Sequence, residues 1–238
     1  MTTLQTLLEK ADSYKANTKA DNQVLRTGFI YSSNALEGNT LTLSETETIL
    51  KNGIIIKTAP LKDCHEIIGL GAAFDAMLQL ASHSEMAITA DSIRELHRLF
   101  YQQIDPAQAG QYRTVPVILN GTEYTPPAVD EIPRFMEHLA DQISSSRYSL
   151  HPIELAAMVL KRLIDIHPFT GGNGQIARML MNLILINTGY AVVSIPPERR
   201  EEYRNALSIS RQQYDMEPFS RLVAECLIES YQLISRHN

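Results

Sequence analysis

The residues best suited to chemistry lie in one run, "HPFTGGNGQIAR", from His167 to Arg178. His167 is of the type whose unperturbed pKa suits proton acceptance near neutrality. Gly172 and Gly174 let the backbone fold into a concave nest of N–H groups and let a ligand approach closely. The run ends on a new helix, whose first N–H groups are unpaired and carry partial positive charge. Arg178, one turn in, adds a guanidinium fork matched to phosphate oxygens. Base, nest and cation together describe a site for phosphoryl or nucleotidyl transfer, chemistry in which positioning and electrostatics carry most of the work. The same residues also fit a plainer reading, a tight Gly-Gly-Asn-Gly turn between packed helices.

Such a loop needs rigid helices on both sides. "IELAAMVLKRLIDI" (153–166) and "IARMLMNLILIN" (176–187) are apolar on nearly every face, the pattern of helices at a bundle centre, and Gly189 follows as a C-cap. Amphipathic spacing predicts further helices at 4–15, 21–36, 62–82, 90–104 and 130–144, one starting within "PPERREEYRNAL", and a last one at 217–235. The second stops at Glu37-Gly38-Asn39, and "SETE" (44–47) reads as a capping box opening a short helix to about residue 52. Residues 113–125 break the pattern. Valines and an isoleucine flank Asn120-Gly121, the dipeptide suited to a type I′ turn, which predicts one β-hairpin acting as a flap. The expected fold is one mainly α domain, a helical bundle with a single hairpin.

Composition narrows the class. The 238 residues are 44% hydrophobic and 20% charged, with a formal net charge of −6. That describes a globular protein and argues against a generic nucleic-acid binder, which needs a basic field. Cys64 and Cys226 are too few for a disulfide framework or zinc knuckle and read as buried thiols. The N-terminal residues lack a signal-peptide pattern and no apolar stretch is long enough for a membrane span, so a cytoplasmic protein without membrane contact is expected. His65-Glu66, His97 and His138 read as structural.

At the His167–Arg178 run the sequence resembles the Fic family, whose motif is His-Pro-Phe-x-Asp/Glu-Gly-Asn-Gly-Arg-x-x-Arg. His167, Pro168, Phe169, Gly172, Asn173, Gly174 and Arg178 match it. "YRTVPVILNG" followed by "PP" resembles the family's flap, and "SSNALEGNTLTLSE" resembles its inhibitory motif, Ser/Thr-x-x-x-Glu-Gly/Asn. The resemblance covers roughly residues 20–230. It implies an N-terminal helical region, 1–85, carrying the inhibitory motif at 33–38, packed on a Fic core, 86–238, with the flap at 113–125. It also implies a protein adenylyltransferase that moves AMP from ATP to a Ser, Thr or Tyr hydroxyl of a target protein. His167 would deprotonate that hydroxyl. Gly172, Asn173 and Gly174 would cradle the phosphates and Arg178 would hold the γ end. The flap residues Thr114, Val115, Val117 and Ile118 would align the target main chain by strand addition. Ser33 and Glu37 would form the inhibitory element, with Glu37 paired to Arg178. Tyr203, Arg204, Leu207 and Arg211 would line the base and ribose pocket. Dimers are common among such proteins, and the apolar N-terminal helix would permit one.

Two departures qualify the resemblance. Gly171 stands where the family has the acid that holds the phosphate-bridging Mg²⁺, so no metal ligand is expected here. A large gain in activity on restoring an acid by Gly171→Asp would show that metal binding is the missing part. Gln175 stands where the first motif arginine belongs, removing one charge from the nest. Arginines near the base pocket leave the nucleotide open, and some proteins of this fold transfer UMP, phosphocholine or phosphate. The alternatives are a lapsed Fic fold kept as a nucleotide-binding or interaction module, or a hydrolase that removes AMP.

Overall fold

The computed structural model describes residues 2–18, 21–82, 88–119 and 122–237. Two helices, α7 (Pro152–Ile166) and α8 (Asn173–Asn187), form the centre and pack against each other more extensively than any other pair. Both have the all-round apolar character expected of buried helices. Along α8 every residue from Gln175 to Leu185 is buried. Pro152 opens α7 in the first turn, where its missing N–H is no loss, and the His151 ring accepts from Ile153 N–H as the cap.

The other helices surround this pair. α1 (Leu4–Asn17) lies on α10 (Glu217–His237), which also packs on α7 and on α9 (Arg200–Gln212). α4 (Leu61–Ser82) packs on α5 (Ala90–Tyr101) and on α8, and α6 (Ile132–Ser146) packs on α7. α2 (Asn22–Ala35) contacts α4, α8 and α3 (Leu43–Asn52). The apolar face of α1, with Leu7, Leu8 and Ala11, is buried within the chain, so it is no free surface for a second copy. Among the described residues no helix is long and apolar enough to cross a membrane. Cys64 and Cys226 are buried and unpaired, as read from the sequence.

Two sequence expectations need correction. The capping box of α3 is Thr42 with Glu45, not the 44–47 run. Thr42 Oγ1 accepts from Glu45 N–H at 3.2 Å, while the Glu45 carboxylate accepts from Thr42 N–H at 2.9 Å. Threonine two residues earlier wins because its extended backbone already has cap geometry.

The second correction concerns the flap. Residues 113–119 and 122–125 form no strand ladder, so the β-hairpin is not supported, and its Asn120-Gly121 turn lies outside the described residues. Pro116 removes a donor from the first arm, and a two-stranded hairpin is marginal without a third partner. The segment is instead held from its root. Arg113 is fully buried and donates from Nε to the His167 carbonyl (2.9 Å), from Nη1 to Val115 (3.1 Å) and from Nη2 to Pro127 (2.6 Å). Its own N–H donates to the Pro168 carbonyl at 2.8 Å. One arginine thus fastens both ends of the flap to the motif loop.

Candidate active site

α7 ends at His167, whose left-handed backbone (φ 48°, ψ 57°) caps the helix with its N–H donated to the Leu163 carbonyl. A non-glycine residue in that region is uncommon and clusters at functional sites. Asn173 then closes the loop. Its Oδ1 accepts from Phe169 N–H and its Nδ2 donates to the Phe169 carbonyl, both at 2.9 Å. The carboxamide therefore braces the loop from both of its polar ends. Asn173 thus shapes the loop, and its second amide N–H takes no part in these two bonds.

The loop rests on a stack of rings that sequence reasoning passed over. His97 lies parallel to Phe169 (3.7 Å between centroids, 3° apart) and faces Tyr101 at 5.0 Å. His97 Nδ1 accepts from Gly110 N–H at 2.9 Å, which leaves Nε2–H to donate to the Gly171 carbonyl at 3.1 Å. Burial pushes the His97 pKa down to about 4, only partly offset by that Gly171 bond. Because its folded pKa lies below the unfolded value of about 6.5, the unfolded chain binds more protons between those limits. Its stabilising contribution is complete above pH 6.5 and is lost as pH falls toward 4. Thermal melts should show Tm falling through this window, and the fall should be shallower in His97→Gln; equal falls would refute the assignment.

At the start of α8, Gly172 takes φ 76°, and a Cβ there would press on the Phe100 ring at 2.7 Å. Gly174 has no room for a Cβ because the Glu37 carboxylate lies directly over it. Glu37 sits just past the end of α2, where Gly38 turns the chain at φ 94°. Its Oε1 accepts from Arg178 Nη2 at 2.9 Å. Arg178 is buried and also donates from Nε to Ser33 Oγ (2.9 Å) and from Nη2 to the Ser33 carbonyl (2.7 Å). Ser33, Glu37, Gly174 and Arg178 are thus brought together as the sequence implied. A carboxylate near a helix C-terminus opposes the dipole of α2, and here it meets both the guanidinium and the positive end of α8.

Arg178 Nη1 and the Tyr203 hydroxyl are both buried without a well-formed hydrogen bond. Tyr203 lies beside Arg178, and burial pushes its pKa up to about 12. Gln175, also buried, faces α2 rather than the nest and donates to Asn34 Oδ1 at 3.4 Å.

On the other side of His167 a cleft of about 880 Å³ opens under the flap, lined in part by His167, Glu123, Arg204, Leu207 and Arg211. Of the four residues read as a base and ribose pocket, Arg204, Leu207 and Arg211 line this cleft, and Tyr203 is buried and is not among its lining residues. Arg211 is held by Asp165 at 2.8 Å, which also pairs with Lys161 at 2.8 Å, and it lies over the Tyr124 ring. Burial, then Arg113, lower the His167 pKa, while the Ile164 carbonyl and Glu37 raise it, and the net direction is down. His167 is thus neutral at pH 7 and suited to accept a proton. Its buried Nδ1 makes no well-formed bond, although the Ile164 carbonyl is near enough to favour a proton there.

The residues present do not fit a phosphate-bridging magnesium ion. Position 171 offers no side chain, and a Cβ there would run into the Tyr101 hydroxyl. Among the described residues no group of three or more His, Cys, Asp or Glu is placed to hold a metal.

Comparison with known proteins agrees with this geometry. The Fic/DOC family model matches residues 87–185. Protein adenylyltransferase fic-1 of Caenorhabditis briggsae is 37% identical over 202 residues, covering 83% of this chain and 39% of the relative. The chain spans less than half the length of the curated relatives it matches. A Fic domain containing signaling protein from Bacteroides thetaiotaomicron superposes with TM-score 0.84 at 31% identity, covering 98% of this chain and 96% of that one. A segment of Fic-1 from Caenorhabditis elegans gives TM-score 0.84 at 31% identity, covering 98% and 71%. With this fold, this loop and these matches, the chain belongs to the Fic/DOC family.

Proposed function

We propose that this chain is a protein adenylyltransferase module that transfers AMP from ATP to a hydroxyl of a target protein and is held inactive by Glu37. The observation that carries the reading is the Glu37 carboxylate, seated over Gly174 and paired with Arg178, beside a neutral His167. An anion already occupies the place where phosphates would gather. The name protein adenylyltransferase, borne by relatives 32–37% identical, supports the choice of nucleotide and reaction.

In the proposed reaction Glu37 withdraws and the triphosphate takes its place at the first turn of α8 and Arg178. The base and ribose enter the cleft lined by Arg204, Leu207 and Arg211. A target hydroxyl gives its proton to His167 as its oxygen attacks the α-phosphorus, and pyrophosphate leaves. The target main chain lies along residues 114–118, where Val115 and Ile118 are exposed and the backbone has no ladder partner. Residues 1–85 act as the regulatory part and 86–238 as the transferring part.

The test is label transfer from α-labelled ATP onto protein. Glu37→Gly should raise self-modification at least tenfold over wild type, since it frees Arg178 and the space over Gly174. No gain in a folded Glu37→Gly protein would sink the autoinhibition.

A further inference from the structure

Position 171 is one of the two places where the motif departs from its family, and there a specific side chain fills the gap. A Cβ built on Gly171 points straight at the Tyr101 hydroxyl and lies 3.1 Å from Tyr101 Cζ and 3.4 Å from Cε2. The phenol therefore stands where an acid at 171 would begin. Its ring is fixed there by the stack on His97, whose Nε2–H holds the Gly171 carbonyl. A Cβ on neighbouring Gly172 would likewise touch Tyr101 Cδ2 at 3.4 Å.

We propose that Tyr101 has replaced the metal-binding acid, so that nucleotide phosphates are held at this nest by the Tyr101 hydroxyl and backbone N–H groups without a divalent cation. The proposal rests on the transferase reading above. Two features of the site agree with it. Burial raises the Tyr101 pKa, so the group is a protonated donor, not an anion that would need a metal between itself and phosphate. The charge balance also shifts: an acid with Mg²⁺ adds +1 at this point and a neutral phenol adds none. Gln175, turned toward Asn34, does not restore that charge. Once Glu37 leaves, Arg178 is the cation that meets the phosphates, and a charge-assisted bond from a phenol supplements it.

The placement also bears on restoring the acid. Gly171→Asp should be strained while Tyr101 is present, not a simple recovery of metal binding.

Two measurements test the proposal. In the Glu37→Gly protein, calorimetric titration with ATP should give dissociation constants within about threefold in excess Mg²⁺ and in EDTA, and Tyr101→Phe should weaken binding about tenfold in both buffers. In thermal melts Gly171→Asp should lower Tm markedly, and lower it much less in a Tyr101→Ala background, where Mg²⁺-dependent ATP binding should also appear. ATP binding confined to Mg²⁺, or unchanged by Tyr101→Phe, would overturn the proposal and leave the transferase reading standing. ATP binding in neither buffer would overturn both. Equal destabilisation by Gly171→Asp with and without Tyr101 would show that the phenol does not occupy the acid's place.

Discussion

His167→Ala, made in the Glu37→Gly background, is expected to cut AMP transfer by about 10²–10⁴-fold, the range typical of a lost general base. The variant should keep its fold, because the His167 contacts that shape the loop are made by backbone: its N–H to Leu163 and its carbonyl from Arg113. ATP binding should change little, which separates a lost base from a lost binding site. The pH profile gives a second check. Burial holds the His167 pKa below its ordinary value, and Glu37 is among the groups raising it, so removing Glu37 lowers it further. The base works when neutral, so kcat/KM, which reports the free protein, should rise with pH only below 6.5 and be flat between pH 7 and 8. An acid limb of kcat/KM centred above 6.5 would refute the burial account, and transfer that survives His167→Ala would refute the role.

Arg113→Met should be the most damaging single change outside the motif. Arg113 is buried, pairs with no carboxylate among the described residues, and satisfies the carbonyls of Val115, Pro127 and His167. Burial lowers its pKa. Removing the fork strands three acceptors, each of which costs about 1–3 kcal/mol if it stays unpaired. A loss of about 3 kcal/mol lowers Tm by roughly 6–12 °C in a chain of this size. The flap should also become the first site of proteolytic cleavage, since Arg113 ties both its ends. An unchanged Tm would show that water satisfies those carbonyls.

The sequence made much of this readable, for physical reasons. The central helices announce themselves because α7 and α8 are apolar on all sides, and helices of that kind have only one place to go. The His167–Arg178 run is legible because base, nest and cation are contiguous, and Glu37 only through the resemblance of residues 33–38 to an inhibitory motif. Side chains that act at a distance were not legible. Arg113 reads as one more cation near a turn; only the fold shows it reaching His167 and Pro127. His97 sits on a strongly amphipathic helix whose pattern says "core" and nothing of Gly171. Tyr101 could not be linked to position 171, since the two are separated by seventy residues and meet only when α5 packs beside α8. The part Asn173 plays in bracing its own loop was not legible either, because a motif asparagine can serve a ligand, its own backbone or both. The hairpin was overread from Asn120-Gly121, with too little weight on Pro116.

Arg178 has one set of donors and two claimants. In the proposed mechanism the segment from Ser33 to Glu37 competes with nucleotide for that guanidinium, and it belongs to the same chain. Its effective concentration is set by the geometry of α2 and is unaffected by dilution. A nucleotide can shift the balance only through its preference for the open arrangement over the closed one. Inhibition of this kind does not weaken as the protein becomes scarce. In that mechanism, raising nucleotide or drawing α2 away shifts the same equilibrium, so both would act through a single switch.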